Sequence, residues 1–323
     1  MQTYPNPFIP ERADPYVTKG PDGYYYFTAS YPAYLNVDAG YDRIILRRSN
    51  TVIGLATAEE HTIWSAHNEG VMSKHIWAPE IHFIGGKWYI FFAAGEKEAI
   101  WNIRPFVLMC EGSDPINDKW VEMGKMKACE GDDRSFTEFS LDMTYFENNG
   151  KHYLVWAEKL GDSSLFMAEI TPAEPWKLIS KPILLTKPEY DWELIRHKVN
   201  EGPAVLKTDD KIYVFFSASG TGEEYCMGKV YADRNADLMD INSWTKCTEP
   251  ALQTSDLVCE AGPGHNSFVV DENGDLLIVY HARPTSHFEK NCGTYCDEPL
   301  YDPCRHARVK FVRFDENNTP ILK

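Results

Sequence analysis

Three carboxylic acids recur near one position of an internal repeat in this chain. An apolar, aromatic-rich phrase returns five times, at intervals of 64, 64, 60 and 64 residues, around Tyr25, Tyr89, Tyr153, Tyr213 and Leu277. Eleven or twelve residues before each phrase lies a second column, made of Asp14, Ala78, Asp142, Glu201 and His265. Equivalent positions of a repeated element face a shared axis when the elements form a ring, so we expect the three acids to converge.

Three converging carboxyl groups can carry out acid–base chemistry. One carboxylate can act as a general base on water, a protonated one as a general acid, and the third can keep and orient the proton of the acid. Hydrolysis of a glycosidic bond uses such groups around an oxocarbenium-like transition state. Each carboxylate raises the pKa of its neighbours, and this cost favours a functional role for the set. A ring that only binds a sugar or a calcium ion is the alternative.

The elements that position these acids are predicted to be β-hairpins. Each phrase has the pattern of a buried strand that follows a tight turn such as GPDG, NNG or ENGD. Units of about 60 residues with about four strands predict an all-β fold, a five-bladed β-propeller with four antiparallel strands per blade. Four units close with a tryptophan, at Trp64, Trp120, Trp176 and Trp244. The fifth unit has none, so we expect its last strand to be short or supplied differently.

One domain, residues 1–323, accounts for the whole chain, because no linker or low-complexity stretch divides it. Its blades are expected at about residues 10–70, 71–130, 131–190, 191–255 and 256–323. The 43% of hydrophobic residues are ample for a large core.

The net charge of −16 and the pI of about 5.1 argue against binding to nucleic acid or to an anionic membrane surface. A neutral partner fits this charge best. No apolar run approaches the ~20 residues of a membrane span. The N-terminus lacks the basic and apolar regions of a signal peptide. We therefore expect a cytoplasmic protein, or a secreted one whose signal peptide has been removed.

Aromatic and basic residues near the acid column suggest how a sugar would be bound. Trp77 offers an indole face for stacking on a sugar, with core packing as the alternative. His265 could contact a metal ion, hydrogen-bond the substrate or be a satisfied core histidine. Arg283 follows the fifth phrase and could pair with an acid or hold a substrate hydroxyl, and Glu80 and Arg305 are further substrate-binding candidates.

Three of the eight cysteines, Cys292, Cys296 and Cys304, are crowded into one connection with His306 nearby. This spacing could hold zinc, or two of the thiols could pair as a disulfide. The absence of a second CxxC-type pair favours a reduced, unpaired cluster. The remaining five are scattered and are expected to include buried free thiols.

The residues above lie in phrases that resemble glycoside hydrolase family 43. The matching phrases are RADPYV, HIWAPEIHFIGGKWYIFFAA, SLDMTYF, VNEGPAVLK and GPGHNSF, and together they span essentially the whole chain. The resemblance implies a five-bladed propeller that acts on arabinose- and xylose-containing polysaccharides. It also implies hydrolysis with inversion of the anomeric carbon and no cofactor for the chemistry.

Carried over by residue, the resemblance implies that Asp14 is the general base and Glu201 the general acid. Asp142 would orient the acid and tune its pKa. His265 matches the family histidine at the propeller centre, which often contacts a bound calcium or sodium ion. Inversion implies that the carboxyl groups of Asp14 and Glu201 lie roughly 6.5–9.5 Å apart, to admit a water molecule.

Within the family, the phrases YDRIILRRSNTVIGL, KPEYDWE and LYDPCRHARV are most similar to exo-acting α-L-arabinofuranosidases. The expected substrate is then the chain end of an arabinan or an arabino-oligosaccharide. The connection from Pro284 to Cys304 has no clear strand pattern, and at about twenty residues it could close a groove into a pocket. An endo-arabinanase or β-xylosidase of the same family is the runner-up. A non-catalytic carbohydrate-binding propeller is the alternative of another class.

Overall fold

The computed structural model describes residues 2–289, 296 and 298–323, which form five small antiparallel sheets arranged as the blades of a propeller. The first strand of each sheet packs against the first strands of both neighbouring sheets, and this ring of five strands closes around the axis. The predicted fold class is therefore confirmed.

Four blades contain four strands each, numbered here in chain order. The second strand of each blade carries one of the repeated phrases. Its side chains are buried because neighbouring strands flank it on both edges and neighbouring blades cover both of its faces. The first blade consists of β1 Ala13–Lys19, β2 Tyr25–Ser30, β3 Arg43–Ser49 and β4 His61–Ser65. The second consists of β5 Lys74–Ile84, β6 Lys87–Glu96, β7 Ala99–Cys110 and β8 Trp120–Lys125. The third consists of β9 Ser140–Asn148, β10 Lys151–Leu160, β11 Asp162–Ile170 and β12 Ile183–Thr186, and the fourth of β13 Asn200–Lys207, β14 Lys211–Ala218, β15 Cys226–Asp233 and β16 Thr245–Lys246.

The fifth blade departs from the predicted four strands. Its described strands are β17 Glu260–Val270, β18 Leu276–Pro284 and β19 His306–Phe311. Beside β19 lies the N-terminal segment, where Ile9 forms an antiparallel bridge with Ala307. Backbone hydrogen bonds at 2.9 Å from Phe8 N and 3.0 Å to Ile9 O secure this pairing. The outer edge of the last blade is thus covered by the start of the chain, which joins the two ends of the ring.

Short helices and one small hairpin complete the described residues. The hairpin pairs β20 Arg313–Phe314 with β21 Pro320–Ile321, and the α-helix α1 spans Thr285–Phe288. None of the helices among the described residues is long and apolar enough to cross a membrane. The 3-10 helices span Ile53–Ala56, Asp191–Glu193, Ile241–Ser243, Thr254–Asp256 and Pro299–Tyr301.

The hydrophobic core is divided into layers between the blades. One buried cluster joins Tyr26 of the first blade to Trp88 of the second. Similar clusters join the second blade to the third, the third to the fourth and the fourth to the fifth. The last cluster packs Phe8 and Ile9 with Phe27 and Leu277, between the fifth blade and the first. Ring closure therefore depends on the N-terminal segment for packing as well as for hydrogen bonds.

We expect Phe8→Ala to lower the free energy of unfolding by about 3–5 kcal/mol, the usual cost of truncating a buried phenylalanine. Phe8 is 2% exposed in the closing cluster. Equilibrium urea unfolding followed by tryptophan fluorescence would measure the change. Phe314→Ala is the matched control, because Phe314 is 40% exposed. Equal stabilities of the two variants would contradict a closing role for the N-terminal segment.

Candidate active site

The first strand of every blade has a residue in the left-handed backbone conformation near the candidate acids, and β5 and β17 each have a second one, His75 and Gly262. The angle φ is 54° at Asp14, 45° at Ala78, 55° at Asp142, 53° at Gly202 and 44° at His265. Around each of these residues the pairing with the second strand shifts register, as at a β-bulge. For a residue with a side chain this conformation costs about 1–2 kcal/mol, so its surroundings must support it.

Side chains of the neighbouring blade supply that support. In four blades the backbone N–H of the left-handed residue donates to a side chain of the preceding blade around the ring. These bonds run from Asp14 N to His281 Nδ1 (3.1 Å), from Ala78 N to Ser30 Oγ (2.8 Å), from Gly202 N to Asp142 Oδ2 (2.9 Å) and from His265 N to Ser217 Oγ (2.7 Å). The bulges therefore link adjacent blades at the axis, where the candidate acids lie.

The structure corrects the position of Glu201 in the repeat. Gly202, eleven residues before the fourth phrase, takes the left-handed conformation that Asp14 and Asp142 take in their blades. Glu201 is the residue before it, and its equivalents in the second and third blades are Trp77 and Leu141. Glycine suits position 202, because its φ is positive and a Cβ there would lie only 3.1 Å from the His265 ring. The proposed base and the proposed acid thus come from two different positions of the bulge.

The acids meet in one cavity of about 570 Å³ at the centre of the propeller. Asp14, Asp142, Glu201 and His265 line it together with Trp77, Leu141, Arg305 and Tyr225. The cavity is also lined by Trp101 of β7 and by residues outside the strands, namely Phe139, Arg196, His197, Val199, Ser219, Gly220, Thr221, Glu298, Pro299 and Leu300. Buried carboxyl groups with an aromatic wall are suited to a neutral, hydroxyl-rich ligand.

Asp14 is held in its ionised form. Burial by itself would raise the pKa of the Asp14 carboxyl, but His265, Arg305 and His281 together hold that pKa well below its usual range. Asp14 Oδ1 lies 3.4 Å from His265 Nδ1, 3.4 Å from His281 Nδ1 and 3.5 Å from an Arg305 nitrogen. Asp14 Oδ2 accepts a hydrogen bond from Ser30 Oγ. A carboxylate in this environment is an acceptor for the proton of a water molecule at neutral pH.

Glu201 has the opposite environment. Burial, followed by the charge of Asp142, raises the pKa of the Glu201 carboxyl to about 7. The Tyr225 hydroxyl donates to Glu201 Oε1 at 2.8 Å and offsets part of that rise. Tyr225 stacks on His281 with ring centroids 5.5 Å apart, and Gly264 gives it room, because a Cβ at 264 would lie 2.0 Å from its ring.

Asp142 connects these two environments. Burial raises the pKa of its carboxyl to about 6, while His265, 3.8 Å from Asp142 Oδ2, acts in the opposite direction. Burial would lower the pKa of the His265 imidazole, but Asp142 and Asp14 raise it overall. Because Asp142 Oδ2 also accepts the Gly202 N–H, it orients the backbone that carries Glu201.

A cap segment, which we define as residues 298–305, covers one side of the cavity through Glu298, Pro299 and Leu300. Arg305 donates to the Tyr41 hydroxyl at 2.7 Å, and this hydroxyl donates in turn to the Leu300 carbonyl. Arg305 therefore joins the carboxylate of Asp14 to the cap. The connection expected to close the groove does line the cavity, although residues 290–295 and 297 lie outside the described part of the chain.

The substrate-binding candidates divide into two groups. Trp77 and Arg305 line the cavity, whereas Glu80 and Arg283 do not. Glu80 pairs with His82 at 2.9 Å, and Arg283 is 1% exposed. The Arg283 guanidinium donates to Asp302 and to the carbonyls of Thr221 and Pro299, so it secures the loops of the cavity wall.

Several residues of the site were missed in the sequence, and one of them had a signal. His281 takes the place that small residues take in the other four repeats, Ala29, Ala93, Ala157 and Ser217. Comparison of that column would have marked the fifth blade as exceptional. Tyr41, Trp101, Arg196 and Tyr225 lie outside the repeated phrases and had no such signal.

Comparisons with known proteins agree with this geometry. The chain is 42% identical to the extracellular exo-alpha-(1->5)-L-arabinofuranosidase of Streptomyces avermitilis, over 98% of this chain and 63% of that protein. It is 44% identical to a protein of the same name from Streptomyces chartreusis, over 87% of this chain and 82% of that protein. The crystal structure of an alpha-L-arabinofuranosidase from Lactobacillus brevis is 42% identical, with a TM-score of 0.86, over 99% of this chain and 96% of that chain. The model for glycosyl hydrolases family 43 matches residues 4–320, and the chain therefore belongs to this family.

Proposed function

We propose that residues 1–323 act as one catalytic domain, an inverting exo-α-L-arabinofuranosidase that releases arabinose from arabinan or arabino-oligosaccharides. The observation that carries the proposal is a pair of buried acids on one cavity with opposite pKa shifts. The pKa of Asp14 lies well below its usual range, and that of Glu201 is raised to about 7. At neutral pH the Asp14 carboxylate can accept a proton, and a substantial fraction of Glu201 is protonated and can donate one. Glycoside hydrolysis requires one acid of each kind.

In this mechanism Asp14 removes a proton from the water that attacks the anomeric carbon. Glu201 donates its proton to the oxygen of the departing sugar as the glycosidic bond breaks, so no charge accumulates on the leaving group. Asp142 keeps that proton on Glu201 through its nearby charge, and it positions Glu201 through the Gly202 amide. His265 and Arg305 stabilise the ionised base. The expected carboxyl separation of an inverting enzyme remains a prediction.

The exo mode is supported by the cap segment, which covers one side of the cavity, and by the relatives. Glu298, Pro299 and Leu300 of the cap segment form its wall together with Trp101. A wall at the end of a binding site favours terminal residues over internal ones of a polymer. Both Streptomyces relatives carry exo-arabinofuranosidase names, which favours arabinofuranosides over the xylosides of the runner-up. Their extracellular location is compatible with secretion of this chain, which spans less than two thirds of the Streptomyces avermitilis relative.

A central calcium or sodium ion, implied by the family resemblance, has weaker support from the residues present. His265 Nδ1 already faces the carboxylates of Asp14 and Asp142, and its pKa is raised, which favours the imidazolium. Among the described residues, the one group of three His, Cys, Asp or Glu side chains spaced for a metal does not include His265. Asp14, Asp142 and His265 therefore do not fit a ligand set for a central cation, and no step of the mechanism is assigned to one.

Asp14→Asn and Glu201→Gln should each lower kcat by at least about 10²–10⁴, because each removes a proton-transfer group. Asp142→Asn should also be severe, since it alters both the pKa and the orientation of Glu201. Hydrolysis of an aryl α-L-arabinofuranoside measures these effects. Glu260→Gln is the control, because this buried glutamate bonds to Tyr280 away from the cavity. Wild type that binds oligosaccharide without hydrolysing it would instead support a carbohydrate-binding propeller.

Debranched arabinan should yield arabinose as its sole early product, because a walled cavity accepts chain ends. Chromatography of the products at low conversion tests this expectation, and NMR of the first-formed anomer tests inversion. A ladder of oligomers would identify an endo-arabinanase. Cleavage of an aryl β-xyloside in preference to the arabinofuranoside would identify a β-xylosidase.

The value of kcat/KM should fall as the pH rises through about 7, because Glu201 must be protonated and its pKa is raised to about 7. Tyr225→Phe removes a hydrogen bond to the ionised carboxylate, so it should raise that pKa and move the alkaline limb upward. A shift of about one pH unit is expected from a hydrogen bond to a charged group.

The matched control for this shift is Tyr280→Phe, because Tyr280 also donates to a buried carboxylate, that of Glu260. Its pH profile should resemble that of the wild type. An alkaline limb that moves downward in Tyr225→Phe, or stays in place, would contradict the assignment of Glu201 as the acid. The limbs report the coupled set of acids and not one residue alone.

A further inference from the structure

Two residues of the cap segment, Asp302 and Cys304, form a compact cluster of three metal-binding side chains together with His287 of α1. The cluster is separate from the catalytic acids, and none of its members lines the cavity. One ligand atom from each residue lies within 4.8 Å of the others, and the three residues are 2%, 3% and 4% exposed. We propose that this cluster binds a zinc ion that anchors the cap segment.

The donor atoms select the class of metal. An imidazole nitrogen, a carboxylate oxygen and a thiolate sulfur are the three ligand types that zinc combines in proteins. Calcium and magnesium require oxygen ligands, and the nitrogen and sulfur atoms exclude them. His287 Nε2 and Asp302 Oδ2 are 3.0 Å apart, close to the spacing of two ligands on one small ion. Three protein ligands leave one position of a tetrahedron open.

The surroundings hold the carboxylate of Asp302 in place, as outer hydrogen bonds commonly do for metal ligands. Arg283 Nε donates to Asp302 Oδ2 at 2.6 Å, and the Cys304 N–H donates to Asp302 Oδ1 at 2.8 Å. Arg283 also donates to the Thr221 and Pro299 carbonyls of the cavity wall. A metal at Asp302 would therefore be connected to the active-site cavity through one arginine.

The positions of the ligands in the chain suggest what the metal would do. His287 lies in α1, near the start of the connection between β18 and β19, whereas Asp302 and Cys304 lie near its end. A metal that joins the two ends of a long loop reduces the conformational freedom of the unfolded loop. Pro299 and Leu300, which line the cavity, lie between these ligands in the chain. The metal would thus fix the cap segment against the propeller.

This ligand set differs from the one that the cysteine spacing suggested. His306 is not part of the cluster, and its Nδ1 accepts a hydrogen bond from Glu11 N at 2.9 Å. Cys292 lies outside the described residues, and Cys296 is described but does not belong to the cluster. His287 and Asp302 replace them, and neither residue is part of a recognisable zinc spacing.

Metal analysis of the purified full-length protein tests the proposal directly. Inductively coupled plasma mass spectrometry should find about one zinc per chain, as for a structural site. Cobalt exchanged into the chelator-treated protein should give the near-ultraviolet charge-transfer band of a thiolate–cobalt bond. Cys304→Ser should abolish that band, and His287→Gln should lower the zinc content at least about tenfold, as losing one ligand weakens the site. Cys110→Ser, which alters a buried cysteine of β7, should retain both signals.

Thermal unfolding provides a readout that does not depend on folding of the variants. Removal of zinc from the wild type by a chelator should lower Tm, and added zinc should restore it. Because the metal is expected to fix the cap, its removal should raise KM more than it lowers kcat. Protein without zinc that also fails to form the cobalt–thiolate band would overturn the proposal. Unchanged zinc in Cys304→Ser and His287→Gln would overturn it as well. The metal content does not depend on the proposed glycosidase activity, so the two proposals can fail separately.

Discussion

In four of the five blades, a left-handed residue of the first strand donates its backbone N–H to a side chain of the neighbouring blade, and much of the site depends on these hydrogen bonds. Such a conformation is unfavourable for residues with side chains, and hydrogen bonds of about 1 kcal/mol each offset part of the cost. Asp14 and His265 both have this conformation and are supported by His281 and Ser217. The hydrogen bonds between blades therefore also position the proposed base, Asp14, and its charged neighbour His265.

The charged neighbours of Asp14 differ from those of Glu201. Asp14 faces two histidines and an arginine, whereas Glu201 faces Asp142 and a tyrosine hydroxyl. Burial raises the pKa of each carboxyl group, and the neighbours determine whether that rise persists or is reversed. One fold thus keeps Asp14 ionised and a substantial fraction of Glu201 protonated at neutral pH. The cap is coupled to this arrangement, because Arg305 contacts both Asp14 and Tyr41.

The internal repeat was sufficient to predict the five blades, the convergence of the acids and the aromatic wall at Trp77. It was less reliable wherever one blade departs from the others. Glu201 and Gly202 are adjacent, and sequence spacing alone did not show which of them takes the left-handed conformation at the bulge. The three-stranded fifth blade was expected to be irregular, but its completion by Ile9 depends on a contact between opposite ends of the chain. Of the two roles left open for Arg283, the structure shows pairing with an acid, Asp302, and the burial of this arginine could not be deduced from its place in the sequence.

The sequence by itself determined the architecture and which three acids converge on one cavity, because periodic hydrophobicity and equal spacing are local properties that repeat in every blade. Only the tertiary structure decided which acid is ionised, since that depends on His265, His281 and Arg305, residues about 250 or more positions from Asp14. Only the tertiary structure likewise showed that the ligand atoms of His287, Asp302 and Cys304, at the two ends of the connection between β18 and β19, lie within 4.8 Å of one another. Distances across the ring are set by closure of the five blades and not by neighbouring residues in the chain. The pKa of each carboxyl group depends on those distances.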